Sequence, residues 1–304
     1  MDRPPFDTRL YRSAVVTIAS FRAEPSQSGF EDSGPAENHI FVFPRTSVRI
    51  RHAGRRPFVA GPNVVTFYNK DQIYSRERVT AEGDHCDWFA VAPGVLLDAV
   101  RQHDPEAADR PDSPFRFSHG PSDTGSYLLQ RLVVRHLNEG SPADPLFVEE
   151  AAVRLLSRVV DGAARAWDLA GEASSPVQGD LAEAAKTVLA REFRDPVTLD
   201  EVARRAGSSV FHLCRTFRRH TGSTLHAFRN QLRLRTALER VAAPAGDLTD
   251  LALDLGYSSH SHFTAAFRKA FGMAPSAFRR KATAQAVREL SARLESAQGR
   301  HSHR

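Results

Sequence analysis

A repeat towards the C-terminal end constrains this chain more than any other feature. Residues Thr198-Leu-Asp-Glu-Val-Ala-Arg-Arg-Ala-Gly207 lead into Ser208-Ser-Val-Phe-His-Leu-Cys-Arg-Thr-Phe217. Further on, Asp247-Leu-Thr-Asp-Leu-Ala-Leu-Asp-Leu-Gly256 leads into Tyr257-Ser-Ser-His-Ser-His-Phe-Thr-Ala-Ala-Phe267. Each half reads as a capped amphipathic helix, a glycine stop, a short polar turn and a second helix with a basic end. Thr198 is placed to cap its helix while Glu201 reaches back, a capping box. Asp247 does the same job in the second half, with Asp250 set against the positive helix end. Leu199, Val202, Ala203 and Ala206 form one apolar face, and Leu248, Leu251, Ala252 and Leu255 the other. Gly207 and Gly256 stand where each first helix needs a left-handed residue to stop. Leu213 with Phe217, and Phe263 with Phe267, are four apart and should bury against those first helices.

Two such units predict a module that places the second helix of each pair in a DNA groove. The run Gly256-Tyr257-Ser258-Ser259, Phe263 to Phe267, Arg268-Lys269, Phe271-Gly272, Pro275-Ser276, Phe278-Arg279 resembles the signature of AraC/XylS-type transcription regulators. The resemblance covers Leu181 to Lys281. It implies seven helices, with two helix-turn-helix units joined by one long helix from about Thr224 to Val241 that presents Leu225, Phe228, Leu232, Ala237 and Leu238 to both. It also implies reading helices about one DNA turn apart, roughly 34 Å, in successive major grooves.

Charge agrees with that expectation. The whole chain carries +5, but between Asp180 and Lys281 there are 17 Lys or Arg against 10 Asp or Glu, a balance of +7. Basic surface concentrated in one domain is the footprint of a phosphate-binding face. The two cysteines, Cys86 and Cys214, fall in different predicted domains and suggest neither a disulfide framework nor a zinc site. The stretch Met1-Asp-Arg-Pro-Pro lacks the apolar core of a signal peptide, and no run reaches the ~20 apolar residues of a membrane span. A cytoplasmic protein without a membrane partner is expected.

The first hundred residues read as short strands: Ala14 to Ile18, His39 to Phe43, Ser47 to Arg51, Val64 to Tyr68 and Trp88 to Val91, separated by turn material such as Gly61-Pro-Asn63. Val48 and Ile50 alternate with Arg49 and Arg51, as a half-buried strand should. Regularly spaced short strands suggest a sandwich or barrel, and their order and spacing resemble the cupin-like sensor barrel that often precedes the DNA-binding domain in these regulators. The expected fold is therefore α+β and multidomain, an N-terminal cupin-like β-barrel with flanking helices and a C-terminal all-α domain with two helix-turn-helix motifs. A barrel can hold a small ligand or a metal. His39, His52, His85 and Cys86 are the metal candidates, but they lack the His-x-His grouping of metal-binding cupins, and His85 and Cys86 point to opposite faces of a strand. No metal and no cofactor are expected. The aromatic set Phe41, Phe43, Phe67, Tyr68, Tyr74, Trp88 and Phe89 reads as core, with some members open to lining an effector cavity.

Helical spacing begins at Thr124, with Tyr127, Leu128, Leu132, Val133 and Leu137 on one face up to Asn138-Glu-Gly140. A second helix spans about Asp144 to Leu169, with Leu146, Val153, Leu156, Val160, Ala164 and Trp167 on one side. The two either pack across the barrel or form a homodimer interface. The resulting division is 1–123 for the sensor domain, 124–169 for the helical region, 170–179 for a polar linker, 180–281 for the DNA-binding domain and 282–304 for a tail. That tail continues as a helix through Leu290 and Leu294 and then becomes disordered.

Matching the family pattern residue by residue implies base contacts by Phe211, Cys214 and Arg215 in the first reading helix. In the second it implies His260, Ser261, Thr264 and Ala265. Arg215 is suited to a bidentate contact with guanine, worth about 1–3 kcal/mol of discrimination. Ala265 departs from the family, where a longer polar side chain is common, so the second half either reads less sequence or mainly grips the backbone. Ser208, Ser209, Ser258 and Ser259 at the helix starts suit phosphate oxygens, and Arg218, Arg219, Arg268 and Lys269 supply salt-sensitive attraction. The resemblance implies a sequence-specific regulator, more often an activator, that binds double-stranded promoter DNA and RNA polymerase under the control of a small-molecule effector or of dimerisation. Two rivals remain open. A cupin enzyme fused to a DNA-binding domain requires a metal triad or a nucleophile–base pair, and neither is visible. A ligand-independent DNA binder would bind unrelated duplexes equally well.

Overall fold

The computed structural model describes residues 6–139, 144–171, 176–241, 246–280, 288–290 and 292. The Met1 to Pro5 stretch, the centre of the expected linker at 172–175, and most of the tail, including Leu294 and the final histidines, lie outside the described residues. Among the described residues the N-terminal part holds ten strands: β1 (Asp7–Arg12), β2 (Val16–Ala23), β3 (Asp32–Ser33), β4 (Ile40–Pro44), β5 (Val48–His52), β6 (Phe58–Ala60), β7 (Val64–Tyr68), β8 (Tyr74–Arg78), β9 (Asp84–Val91) and β10 (His119–Pro121). Helix α1 (Pro93–Arg101) follows β9, and α2 (Thr124–Asn138) and α3 (Pro145–Gly171) follow β10.

The strands form two sheets, ordered β1-β2-β9-β4-β7-β10 and β3-β8-β5-β6. Within the larger sheet β2 pairs with β9 from Val16 against Val91 to Ala23 against Asp84, and β4 lies between β9 and β7. Side-chain alternation sorts the residues into layers. Phe41, Phe43, Phe67 and Phe89 point to the helices, whereas Val42, Tyr68 and Cys86 point to the smaller sheet and meet Val48, Ile50 and Phe58 there.

The expected sheet-rich domain with flanking helices is present, but not as a closed barrel. Among the described residues no strand pairing joins the two sheets, and the N-terminal part is a sheet-on-sheet sandwich with helices on one face. Two of its edge strands are covered by helices. Edge strand β10 packs under α3, so closely that a Cβ on Gly120 would fall 2.5 Å from that of Ala163. Edge strand β6 is covered by a helix of the C-terminal part. Helix α3 buries Val148, Ala152, Leu155, Leu156, Val159, Val160, Ala163 and Ala164, and α2 buries Tyr127, Leu129, Leu132 and Val133, so both pack against the sheet.

The C-terminal part contributes seven helices among the described residues: α4 (Pro176–Glu192), α5 (Leu199–Arg205), α6 (Val210–Thr221), α7 (Leu225–Val241), α8 (Leu248–Asp254), α9 (His260–Phe271) and α10 (Pro275–Arg280). Helix α4 starts inside the stretch expected to be linker. Among the described residues no helix is long and apolar enough to cross a membrane, and no group of three His, Cys, Asp or Glu converges on a point that could hold a metal. Of the metal candidates, His52 is buried among the rings of Phe58, Tyr68 and Tyr74, and burial lowers its pKa to about 4. Cys86 is buried in the sandwich, where burial raises its thiol pKa, and the half-buried His85 stands 3.8 Å from Glu24. His39 Nδ1 accepts from the Lys70 amide.

Candidate nucleic-acid interface

Both helix-turn-helix units form as their caps dictate. Thr198 and Glu201 make the full capping box of α5. Asp247 accepts from the Thr249 amide at the start of α8. Ser209 and Ser259 cap α6 and α9 by accepting from the amides of His212 and His262. Gly207 and Gly256 take φ values of 71° and 76°, the left-handed region that favours glycine. Beyond that, the two glycines differ. Nothing lies near a Cβ on Gly207, whereas one on Gly256 would fall against the Arg194 carbonyl oxygen and within 2.5 Å of Arg233 Nη2.

In α6, Leu213, Thr216 and Phe217 are buried, and Phe217 meets Phe228 of α7 edge-on. The opposite face presents Arg215, Arg218 and Arg219 to solvent, with Phe211 78% exposed and Cys214 half-buried. A phenylalanine held out in water at the start of a helix costs apolar hydration and stabilises no core of its own. In α9, Phe263, Phe267 and Phe271 face inward, while His260, Ser261, Thr264, Ala265, Arg268 and Lys269 line one open concavity of about 570 Å³. Thr264 Oγ1 lies 3.3 Å from His260 Nε2. The hydroxyl of Ser258 lies 3.1 Å from His262 Nδ1, and that of Ser208 donates to the Ser209 carbonyl. Every residue singled out from the sequence therefore sits on or beside one of two exposed helix faces.

Helix α7 bridges the units and is clasped by the N-terminal part. Glu239 receives Arg45 Nη2 at 2.5 Å and Arg131 Nε at 2.6 Å, and Arg131 Nη1 reaches Asp87 at 2.6 Å. Burial alone would lower the pKa of Arg131, but Glu239 and Asp87 outweigh it and raise it. Arg235 is 1% exposed. It donates to the carbonyls of Pro62 and Ser122 and lies over the Tyr127 ring; burial lowers its pKa to about 10. Asn63 Nδ2 donates to the Phe228 carbonyl at 2.9 Å. On α4, Glu183 accepts from the edge-strand amide of Val59 at 2.6 Å and from Lys186. Burial would raise its pKa, but Lys186 and His119 hold it low. None of these partners was legible in the sequence, where α7 reads as a bridge whose apolar residues serve the two units and whose charged residues have no assigned partner.

A family profile described as a helix-turn-helix domain matches residues 202–281. The regulatory protein SoxS of Salmonella typhimurium is 36% identical over 86 residues, a match covering 28% of this chain and 80% of SoxS. The chain belongs to the AraC/XylS-type family of helix-turn-helix regulators. The right origin-binding protein of Escherichia coli, also 36% identical, is matched over 28% of this chain and 29% of its own length. Among solved structures, ToxT of Vibrio cholerae aligns with 87% of this chain and 98% of its own at 9% identity and a TM-score of 0.34, too distant to bear on function. In this AraC-type regulator the matched segment runs from within α5 to the end of α10 and so contains both reading helices, while the sandwich lies outside it.

Proposed function

We propose that this AraC-type regulator reads a bipartite promoter site with α6 and α9 and activates transcription under control of its N-terminal sandwich, cupin-like in its sheet-on-sheet build. The observation that carries the reading is the pair of exposed polar helix faces, each backed by buried aromatic or aliphatic side chains, on units capped in the same way. Arg215 reads a guanine, with Phe211 and Cys214 against neighbouring base edges or methyls. His260, Ser261, Thr264 and Ala265 face the second groove. Ser208, Ser209, Ser258, Ser259, Arg218, Arg219, Arg268 and Lys269 hold phosphates. The sandwich takes a small-molecule effector or a second copy of the chain, and contacts to α7 and α4 couple it to DNA binding. RNA polymerase is the partner for activation. The chemistry is binding, without catalysis.

The test is genome-wide binding by purified protein, wild type against Arg215→Ala, followed by transcription from the recovered promoters. A short two-part motif should emerge, and the variant should lose information in one part at a cost of about 1–3 kcal/mol. Binding with no recoverable motif, and equal loss on all sequences, would overturn specific readout.

A further inference from the structure

We propose a third DNA contact on the central helix: the side of α7 turned away from the sheets seats backbone phosphate between the two grooves entered by α6 and α9. The proposal rests on the DNA-binding reading above and adds residues to it.

At 100° per residue, the Phe228 carbonyl, Arg235 and Glu239 share the side of α7 that the sandwich clasps. His226, Arg229, Asn230 and Arg233 fall roughly opposite. Together with Tyr257, His262 and Ala266 they line a cavity of about 120 Å³. That is well below the ~300–1,000 Å³ of an organic ligand site and suits a tetrahedral oxyanion.

The charge in this cavity has no direct ion pair and is offset only at a distance, by Asp195. Arg45 and Arg131, on the clasped side, are neutralised by Glu239 and Asp87. Among the described residues neither Arg229 nor Arg233 has a carboxylate within 4 Å. Main-chain oxygens at the end of α4 orient them instead. Arg229 donates through Nε to Phe193 at 3.1 Å and through Nη2 to Asp195; Arg233 donates through Nε to Phe193 at 2.6 Å and through Nη2 to Arg194 at 3.4 Å. Two guanidiniums one turn apart are thereby fixed by neutral acceptors, which leaves Nη1 of each for another. Burial lowers the pKa of both and Arg229 lowers that of Arg233 further, outweighing the opposing pull of Asp195. An anion between them relieves both effects.

The seat also adjoins the second reading surface. His262 belongs to α9, beside His260 and Ser261, and stands edge-on to the Tyr257 ring. Its neighbour Ser259 caps the N-terminus of the same helix. Tyr257 in turn donates to Asn230 Oδ1 at 2.9 Å, which ties the turn before α9 to α7. A strand leaving the groove occupied by α9 therefore meets Ser259, His262, Arg233 and Arg229 in succession.

The experiment uses the full-length chain and a duplex carrying its bipartite site, with single methylphosphonate substitutions scanned along both backbones. Neutralising a phosphate midway between the two read segments should weaken wild-type binding about fivefold and reduce the salt slope by about 0.9. In a His226→Ala, His262→Ala double variant, whose two exposed side chains leave the core intact, and in Arg229→Gln, the same neutralisation should cost less than about twofold. The scan on wild-type protein stands even where a variant folds poorly. Central phosphates no more sensitive than distant ones, or equal losses in wild type and variants, overturn the seat while leaving two-part recognition intact. Absence of any two-part site overturns the DNA reading itself.

Discussion

The two helix-turn-helix units share a sequence plan but are built into the molecule differently. The first, with α4, has its own small core of Leu181, Ala185, Leu189, Val202, Leu213, Phe217, Phe228 and Leu232, and touches the sandwich through polar contacts at Glu183, Asp180 and Thr187. The second has no separate core. Leu238, Leu251, Leu255, Phe263, Phe267 and Phe278 belong to one apolar cluster with Phe41, Phe89, Leu132 and Leu156 of the N-terminal part. Apolar burial is non-directional and cooperative, whereas polar contacts across a surface are individually weak. The second unit thus shares the core of the N-terminal sandwich, and the first is a head with a core of its own, joined to the rest through α7.

The sharpest way to break that comparison is to remove one phenylalanine from each core. Phe267→Ala should cost about 3–5 kcal/mol and lower hydrogen-exchange protection in the six-stranded sheet as well as in α8 and α9. Phe217→Ala should lower protection in α4 to α6 and spare the sheet. Equal losses in the sheet would mean a single cooperative body. Next in size is Glu239→Gln, which leaves Arg45 without a carboxylate and Arg131 with Asp87 alone. A stability loss of about 3 kcal/mol is expected by urea unfolding, against about 1 kcal/mol for Glu183→Gln, whose amide oxygen still accepts from Val59.

Acid probes the same boundary. His52 is neutral when folded, with a pKa of about 4 against 6.5 for the free side chain. As pH falls the unfolded chain takes the proton first, so stability is full above 6.5 and is lost from there down to 4, by about 3 kcal/mol. His119 behaves alike, with burial and then Lys186 holding it at about 4, and it stacks on Phe58 of the strand that α4 covers. A stability profile over that range should steepen in wild type and flatten in His52→Phe; unchanged slopes would remove His52 from the account. The smallest effect is Thr198→Ala, about 1 kcal/mol by loss of the cap, confined by hydrogen exchange to the first head.

What could be read beforehand was local. Caps, glycine stops and the four-residue spacing of Phe263 and Phe267 are short-range signals, and both units formed where they indicated. Strands β2, β4, β5, β7 and β9 were legible from their β-branched and aromatic runs. Strands β1, β3, β6, β8 and β10 were not: Asp32–Ser33, Phe58–Ala60 and His119–Pro121 are too short to show a period, and Asp7–Arg12 and Tyr74–Arg78 are mostly polar. Closure of the sheet into a barrel was not encoded in any single strand; it depends on which helix covers each edge. The clasp on α7 was hidden for another reason. Arg235 and Glu239 occupy a helix whose charges suggest water, and only partners more than a hundred residues away along the chain bury them. The residues of the phosphate seat were passed over in the same way.

Gly256 has a consequence for how such a protein can change. Its missing side chain is what allows the turn of the second unit to rest on the Arg194 carbonyl of the first, beside the Arg233 guanidinium. An alanine there would press on the Arg194 carbonyl and at the same time strain the left-handed turn of the second unit. Under the two-part recognition proposed above, the separation of α6 and α9 rests in part on this one close approach.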